Sequence, residues 1–206
     1  MLGRIKQEKI VGVIRVSDAE TAILAALAVS KGGVKVLEIP ATVPGFPEAI
    51  GELAKRSELA VGAASVLTSD QARDSVEAGA AFLVSPCFSL EVEEVASSAG
   101  LLYLPGAATP TEIHDLVKRG YELIKVFPAS HLGGPKFIRA ILSTMPSAQL
   151  LPTGGVSVQN VREYFESGAV AVGVGGELLP RASVRNGDWE SIARLASQFA
   201  SCREPV

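Results

Sequence analysis

Apolar residues along this chain gather into short uninterrupted runs, separated by longer amphipathic stretches. Eight runs stand out: Lys9–Arg15, Val34–Pro40, Leu59–Ser65, Ala80–Pro86, Leu101–Ala107, Leu123–Pro128, Gln149–Gly155 and Ala169–Gly176. Most lack polar alternation, the pattern of strands covered on both faces, as in a parallel sheet under helices. Their starts lie 20 to 26 residues apart, room for one strand, one helix and two short loops.

The segments between them carry helix punctuation. Ser17 followed by Glu20 predicts a capping box, with Gly32 and Gly33 closing that helix. Thr109-Pro110-Thr111-Glu112 places a cap at Thr109 and proline in the first turn, and Ser157 is expected to cap the stretch ending at Gly168. Gly79, Gly100 and Gly120 each sit just before a run, where a helix C-cap belongs.

Eight strand–helix units predict a (β/α)8 barrel, the TIM-barrel architecture, as one compact domain over residues 1–206. The rival is an open doubly wound sheet. Its Gly-x-Gly-x-x-Gly turn after the first strand is missing, because Arg15-Val16-Ser17 occupies that place.

Composition narrows the class. The 206 residues are 48% hydrophobic and 20% charged, which excludes a disordered chain. Nineteen basic against 22 acidic side chains give a net charge of −3, without the basic excess of a nucleic-acid binder. No apolar stretch is long enough to span a bilayer, and the start is too polar for a signal peptide. Two cysteines, Cys87 and Cys202, make no disulfide framework. A cytoplasmic protein is expected.

In a barrel the chemistry lies at the C-terminal ends of the strands. There Arg15, Glu38 and Lys125 stand inside or beside apolar runs. Buried charges are costly, so three converging on one cavity point to a site; a salt-bridged interior is the plain alternative. A lysine in apolar surroundings beside a cation tends toward the neutral amine that attacks a ketone. Glu38 would then move protons. Two glycine pairs, Gly154-Gly155 and Gly175-Gly176, follow the last two runs, where barrels often hold an anion on backbone N–H groups. Glu177 comes directly after the second pair. His/Cys/Asp spacing suggests no metal, and Cys87 has no evident base nearby.

From Lys9 to Trp189 the chain resembles the 2-keto-3-deoxy-6-phosphogluconate (KDPG) / 4-hydroxy-2-oxoglutarate (KHG) aldolases, a Schiff-base family. The likeness rests on Gly32-Gly33-Val34-Lys35-Val36-Leu37-Glu38-Ile39, Leu83-Val84-Ser85-Pro86, Leu104-Pro105-Gly106, Ile124-Lys125-Val126-Phe127-Pro128-Ala129 and Leu151-Pro152-Thr153-Gly154-Gly155-Val156. It implies Lys125 as the imine lysine, Glu38 as acid/base and Phe127 beside the imine. Arg15, Thr42, Ser65, Pro86 and Thr153 would contact a 2-keto acid substrate together with the glycine pairs. It also implies a homotrimer that needs no metal or other cofactor. Three departures concern the substrate, one of them Gly176, where the family often has serine, with Glu177 following it. Gly62-Ala63-Ala64-Ser65 keeps a hydroxyl where many members have Gly-Ala-Gly-Thr, and Thr42 stands where some carry arginine.

Two other functions fit parts of this pattern. A phosphate-binding barrel isomerase, epimerase or synthase would use the glycine pairs without an imine. A non-catalytic binding protein would keep the scaffold alone.

Overall fold

The computed structural model describes residues 1–203. Among these residues nine strands form: β1 (Ile10–Val13), β2 (Val36–Pro40), β3 (Ala60–Ala64), β4 (Phe82–Val84), β5 (Leu102–Leu104), β6 (Gly106–Ala107), β7 (Ile124–Val126), β8 (Leu150–Pro152) and β9 (Val172–Val174). Each of the eight apolar runs contains a strand, and the fifth contains two. Pro105 divides it, because proline has no N–H to donate to a ladder. The Pro105 carbonyl still accepts from Lys125 N at 2.9 Å.

All strand pairs are parallel. They form a curled six-stranded sheet, ordered β5-β4-β3-β2-β1-β9, and a three-stranded sheet, β6-β7-β8. The ladders thus fall into an α/β arrangement of two parallel sheets instead of the one continuous eight-stranded ladder expected. An isolated parallel bridge, Thr153 with Gly173, lies where β8 meets β9.

Side chains alternate across each strand, and although both faces are buried, successive residues fall into two different clusters. Leu37 and Ile39 pack outward with the helices, while Val36 belongs to an inner cluster with Val11, Ala60, Phe82, Leu104, Leu123 and Leu151. Glu38 therefore faces the same interior as Val36. The same count from Leu123, with Ile124 and Val126 outward, turns Lys125 inside. Helix Leu2–Glu8, which the apolar runs do not reveal, adds Ile5 to the inner cluster.

Two helix starts differ from expectation. Asp18, not Ser17, caps helix Ala19–Lys31: its carboxylate accepts from Thr21 N at 2.8 Å and Thr21 Oγ1 at 3.0 Å. The Ser17 hydroxyl donates to that same carboxylate, and these hydrogen bonds hold the Asp18 pKa below its ordinary range. Asn160, not Ser157, precedes helix Val161–Glu166, with its side chain occupied elsewhere. Thr109 does cap helix Pro110–Lys118, through a full capping box with Glu112. Gly79, Gly100 and Gly120 adopt positive φ just past their helices, as a left-handed C-terminal turn requires.

Candidate active site

The interior polar residues begin 87 positions apart in sequence and end in contact. Lys125 Nζ donates to Glu38 Oε1 at 2.9 Å, with side-chain exposures of 6% and 2%. β7 and β2 belong to different sheets, so this contact requires the two sheets to face one another across a shared interior. Such a pair is held by packing: stripping one partner strands a buried charge, at a cost of about 3–5 kcal/mol.

Each of these polar side chains has a glycine as its ladder neighbour, and each glycine is closely packed. In the ladders Glu38 sits beside Gly62 and Lys125 beside Gly106, and the bridge sets Thr153 beside Gly173. A Cβ at Gly62 would come within 2.6 Å of the Phe82 ring, and one at Gly106 or Gly173 would collide with the Pro86 carbonyl or the Thr153 hydroxyl. The motif reading quotes some of these glycines but gives none of the three a packing role. Counting the strand alternation outward from Glu38 and Lys125 would have found the first two positions as interior.

At the C-terminal ends of the strands lies a cavity of about 340 Å³ that Arg15 lines but Glu38 and Lys125 do not, so the three expected charges do not all reach one cavity. Arg15, Phe127, Thr153, Gly154, Gly155, Gly175 and Gly176 all line it, together with Val13, Val156 and Glu177. The Phe127 ring connects this space to the buried pair, its centroid 6.0 Å from Lys125 Nζ. Ser65 joins from β3: its hydroxyl accepts from Arg15 Nη2 at 3.2 Å. Ser65 also holds φ +55°, a left-handed backbone uncommon for a residue with a side chain and often retained at functional sites.

The turn after β8 is braced from behind. Its carbonyls at Thr153, Gly154 and Gly155 accept from Ala129 N, Ser130 N and Asn160 Nδ2 at 2.9, 3.1 and 2.9 Å. Asn160 Oδ1 accepts from Ser157 N at 2.9 Å, which is why its amide is not used as a helix cap. Gly154 and Gly155 take φ +99° and +74°, a conformation only glycine adopts easily. No backbone hydrogen bond among the described residues uses their N–H groups, which leaves donors for a ligand oxygen. Beside them the Thr153 hydroxyl is buried and has no hydrogen-bond partner among the described residues. Asn160 is a bracing residue that the motif reading misses, because its signal is a contact with a neighbouring loop.

Two expected contacts lie elsewhere. Thr42 is exposed in the turn after β2 and does not line the cavity. Pro86 lines a separate cavity of about 320 Å³ with Cys87, Phe88, Ala108 and Arg119, whose guanidinium sits 4.7 Å from the Phe88 ring centroid. Nearby, burial raises the pKa of Tyr103, and burial together with the adjoining Glu93 carboxylate raises that of Tyr121. Among the described residues no three His, Cys, Asp or Glu side chains cluster as a metal site needs.

An inward lysine on one strand, an inward glutamate on another and a glycine-lined mouth above them describe a class of α/β enzyme that works on a carbonyl substrate. Comparison makes that specific. The family model described as "Aldolase: KDPG and KHG aldolase" matches residues 2–195. The chain belongs to the KDPG and KHG aldolase family. It is 34% identical over 190 residues to the KHG/KDPG aldolase of Escherichia coli (strain K12), covering 92% of this chain and 89% of that one. With the 2-dehydro-3-deoxy-phosphogluconate aldolase of Treponema pallidum (strain Nichols) it shares 30% over 195 residues, covering 94% and 93%. A solved KDPG aldolase from Legionella pneumophila, holding pyruvate as a covalent carbinolamine intermediate, superposes with a TM-score of 0.87 at 30% identity, over 96% of this chain and 97% of that one. The aldolase resemblance read from the motifs stands, and with it the lyase class. Among the described residues no helix is long and apolar enough to cross a membrane.

Proposed function

We propose that this chain is a Schiff-base aldolase that cleaves a 2-keto-4-hydroxy acid, of the KDPG or 4-hydroxy-2-oxoglutarate type, to pyruvate and an aldehyde. The observation that carries this reading is the buried 2.9 Å contact between Lys125 Nζ and Glu38 Oε1 beneath an open, glycine-lined cavity. A Schiff-base nucleophile must shed a proton before it attacks, and a carboxylate in hydrogen-bond reach can take it.

Lys125 attacks the C2 ketone, and loss of water from the carbinolamine leaves a protonated imine. That imine is the electron sink. Removal of the C4 hydroxyl proton, by Glu38 or a water it holds, breaks C3–C4 and releases the aldehyde. The resulting enamine is protonated at C3, and hydrolysis of the imine returns pyruvate and the free lysine. Phe127 covers the imine side. Arg15 and Ser65 receive the substrate carboxylate, and the Thr153 hydroxyl and the N–H groups around Gly154, Gly155, Gly175 and Gly176 receive oxygens farther along the substrate.

The reading extends to architecture. Residues 1–206 are one domain, and the two sheets are parts of one eight-stranded barrel. This is supported by the Thr153–Gly173 bridge, by Val170 N donating to the Leu150 carbonyl at 3.0 Å, and by the shared β5–β6 segment. A homotrimer in the cytoplasm completes it, following the resemblance and the two unpaired cysteines.

Borohydride reduction in the presence of pyruvate tests the chemistry. A stable pyruvate adduct mapped to Lys125 by mass spectrometry is expected. Turnover of a 2-keto-4-hydroxy acid with no such adduct would refute the covalent route.

A further inference from the structure

We propose that Glu177 directs this site toward substrates whose far end carries hydroxyl groups and no phosphate, an inference that rests on the aldolase reading above. The cavity is lined by two charged side chains, Arg15 and Glu177. Among the described residues neither forms an ion pair, with the other or with any third group. Their places on the rim differ. Arg15 follows β1 and leans to the β3 side, where its guanidinium holds the Ser65 hydroxyl at 3.2 Å. Glu177 follows β9, on the opposite side of β1.

A 2-keto acid attached at C2 must lay its own carboxylate within one bond of the reacting carbon. Arg15, the one cation lining the cavity, is engaged by that carboxylate. What remains for the distal end of the substrate is the turn at Gly154-Gly155, the second glycine pair and the Glu177 carboxylate. Gly176 has open space around it and contributes no side chain. A phosphate dianion placed there gains backbone N–H groups but meets an unneutralised carboxylate. A hydroxylated carbon chain meets no such repulsion. Its oxygens accept from the glycine N–H groups and its O–H groups donate to Glu177, so both kinds of lining group are satisfied at once.

The test compares kcat/KM for 2-keto-3-deoxygluconate and its 6-phosphate in the wild type, in Glu177→Gln and in Glu177→Ala. Glu177 is exposed, so both replacements leave the core untouched. The wild type should use the unphosphorylated acid at least as well as the phosphorylated one. Either replacement should shift the ratio toward the 6-phosphate by roughly tenfold, as expected for removing one like charge near a dianion at a partly solvated rim. A wild type that prefers the 6-phosphate tenfold or more overturns the proposal, and so does a ratio that neither variant moves. Pyruvate trapping on the wild type separates the two levels. An adduct on Lys125 with an unmoved ratio removes only the role of Glu177, whereas no adduct removes the aldolase reading and this inference with it.

Discussion

The buried pair and the open mouth of this molecule solve opposite physical problems. Glu38 and Lys125 sit among aliphatic side chains, where an unpaired charge is expensive, so each depends on the other. The mouth is built from backbone. Its turn after β8 is held by three hydrogen bonds to its carbonyls, and its charged side chains, Arg15 and Glu177, reach solvent. Changes in the first region should damage chemistry and stability together. Changes in the second should redirect selectivity at little structural cost.

Lys125→Met makes the sharpest break. It keeps an apolar chain of similar length but removes the nucleophile, so activity should fall at least about a thousandfold and the pyruvate adduct should vanish. It also leaves Glu38 without its partner, and the urea midpoint should drop in step with a loss of up to about 3–5 kcal/mol. Full activity in this variant would dissolve the contrast between the regions.

Glu38→Gln should slow turnover by roughly 10²–10⁴-fold, the range for a positioned acid/base. The informative readout is exchange of pyruvate methyl protons in deuterated water, which needs enamine formation and reprotonation but no aldehyde. Exchange at the wild-type rate would remove Glu38 from proton transfer.

Gly62→Ala tests how tightly the interior beside Glu38 is packed. Its added methyl meets the Phe82 ring, so thermal denaturation should report a loss of about 1–3 kcal/mol, the usual cost of overpacking. An unchanged melting temperature would show that the ring can shift aside and that the space beside Glu38 is not tightly held.

Gly176→Ser should be the mildest. Nothing lies within 4 Å of the new Cβ, so stability should stay within about 0.5 kcal/mol. A hydroxyl at the rim should raise use of a phosphorylated substrate relative to its unphosphorylated partner by no more than one charge-assisted hydrogen bond, at most about 1.5–3 kcal/mol. A large fall in stability would mean that the mouth is as tightly packed as the interior.

Much of this was written locally. Runs of apolar residues located every strand, because a strand covered on both faces needs nothing else. Glycines before the runs and the Thr109-Pro110 start marked helix ends through preferences that operate within one turn. Lys125 and Glu38 were legible as candidates because a charge inside such a run has few explanations. Where two neighbours could both act, local preference could not choose. Ser17 and Asp18 are equally good caps, and the decision went to the carboxylate that could take both Thr21 donors.

Other features depend on residues far apart in the chain, and only the tertiary structure decided them. The 2.9 Å approach of Lys125 to Glu38 joins two sheets, and no spacing rule spans 87 residues. Asn160 was drawn from capping to bracing by the carbonyl of Gly155, and Pro86 was turned toward a second cavity. Helix Leu2–Glu8 found its place because Ile5 could be buried beneath the strands, a reward that exists only once they have assembled. Propensity and periodicity act over a few residues and can be read from the order of side chains. Packing and charge pairing act through space, so their outcome is set when the chain has folded.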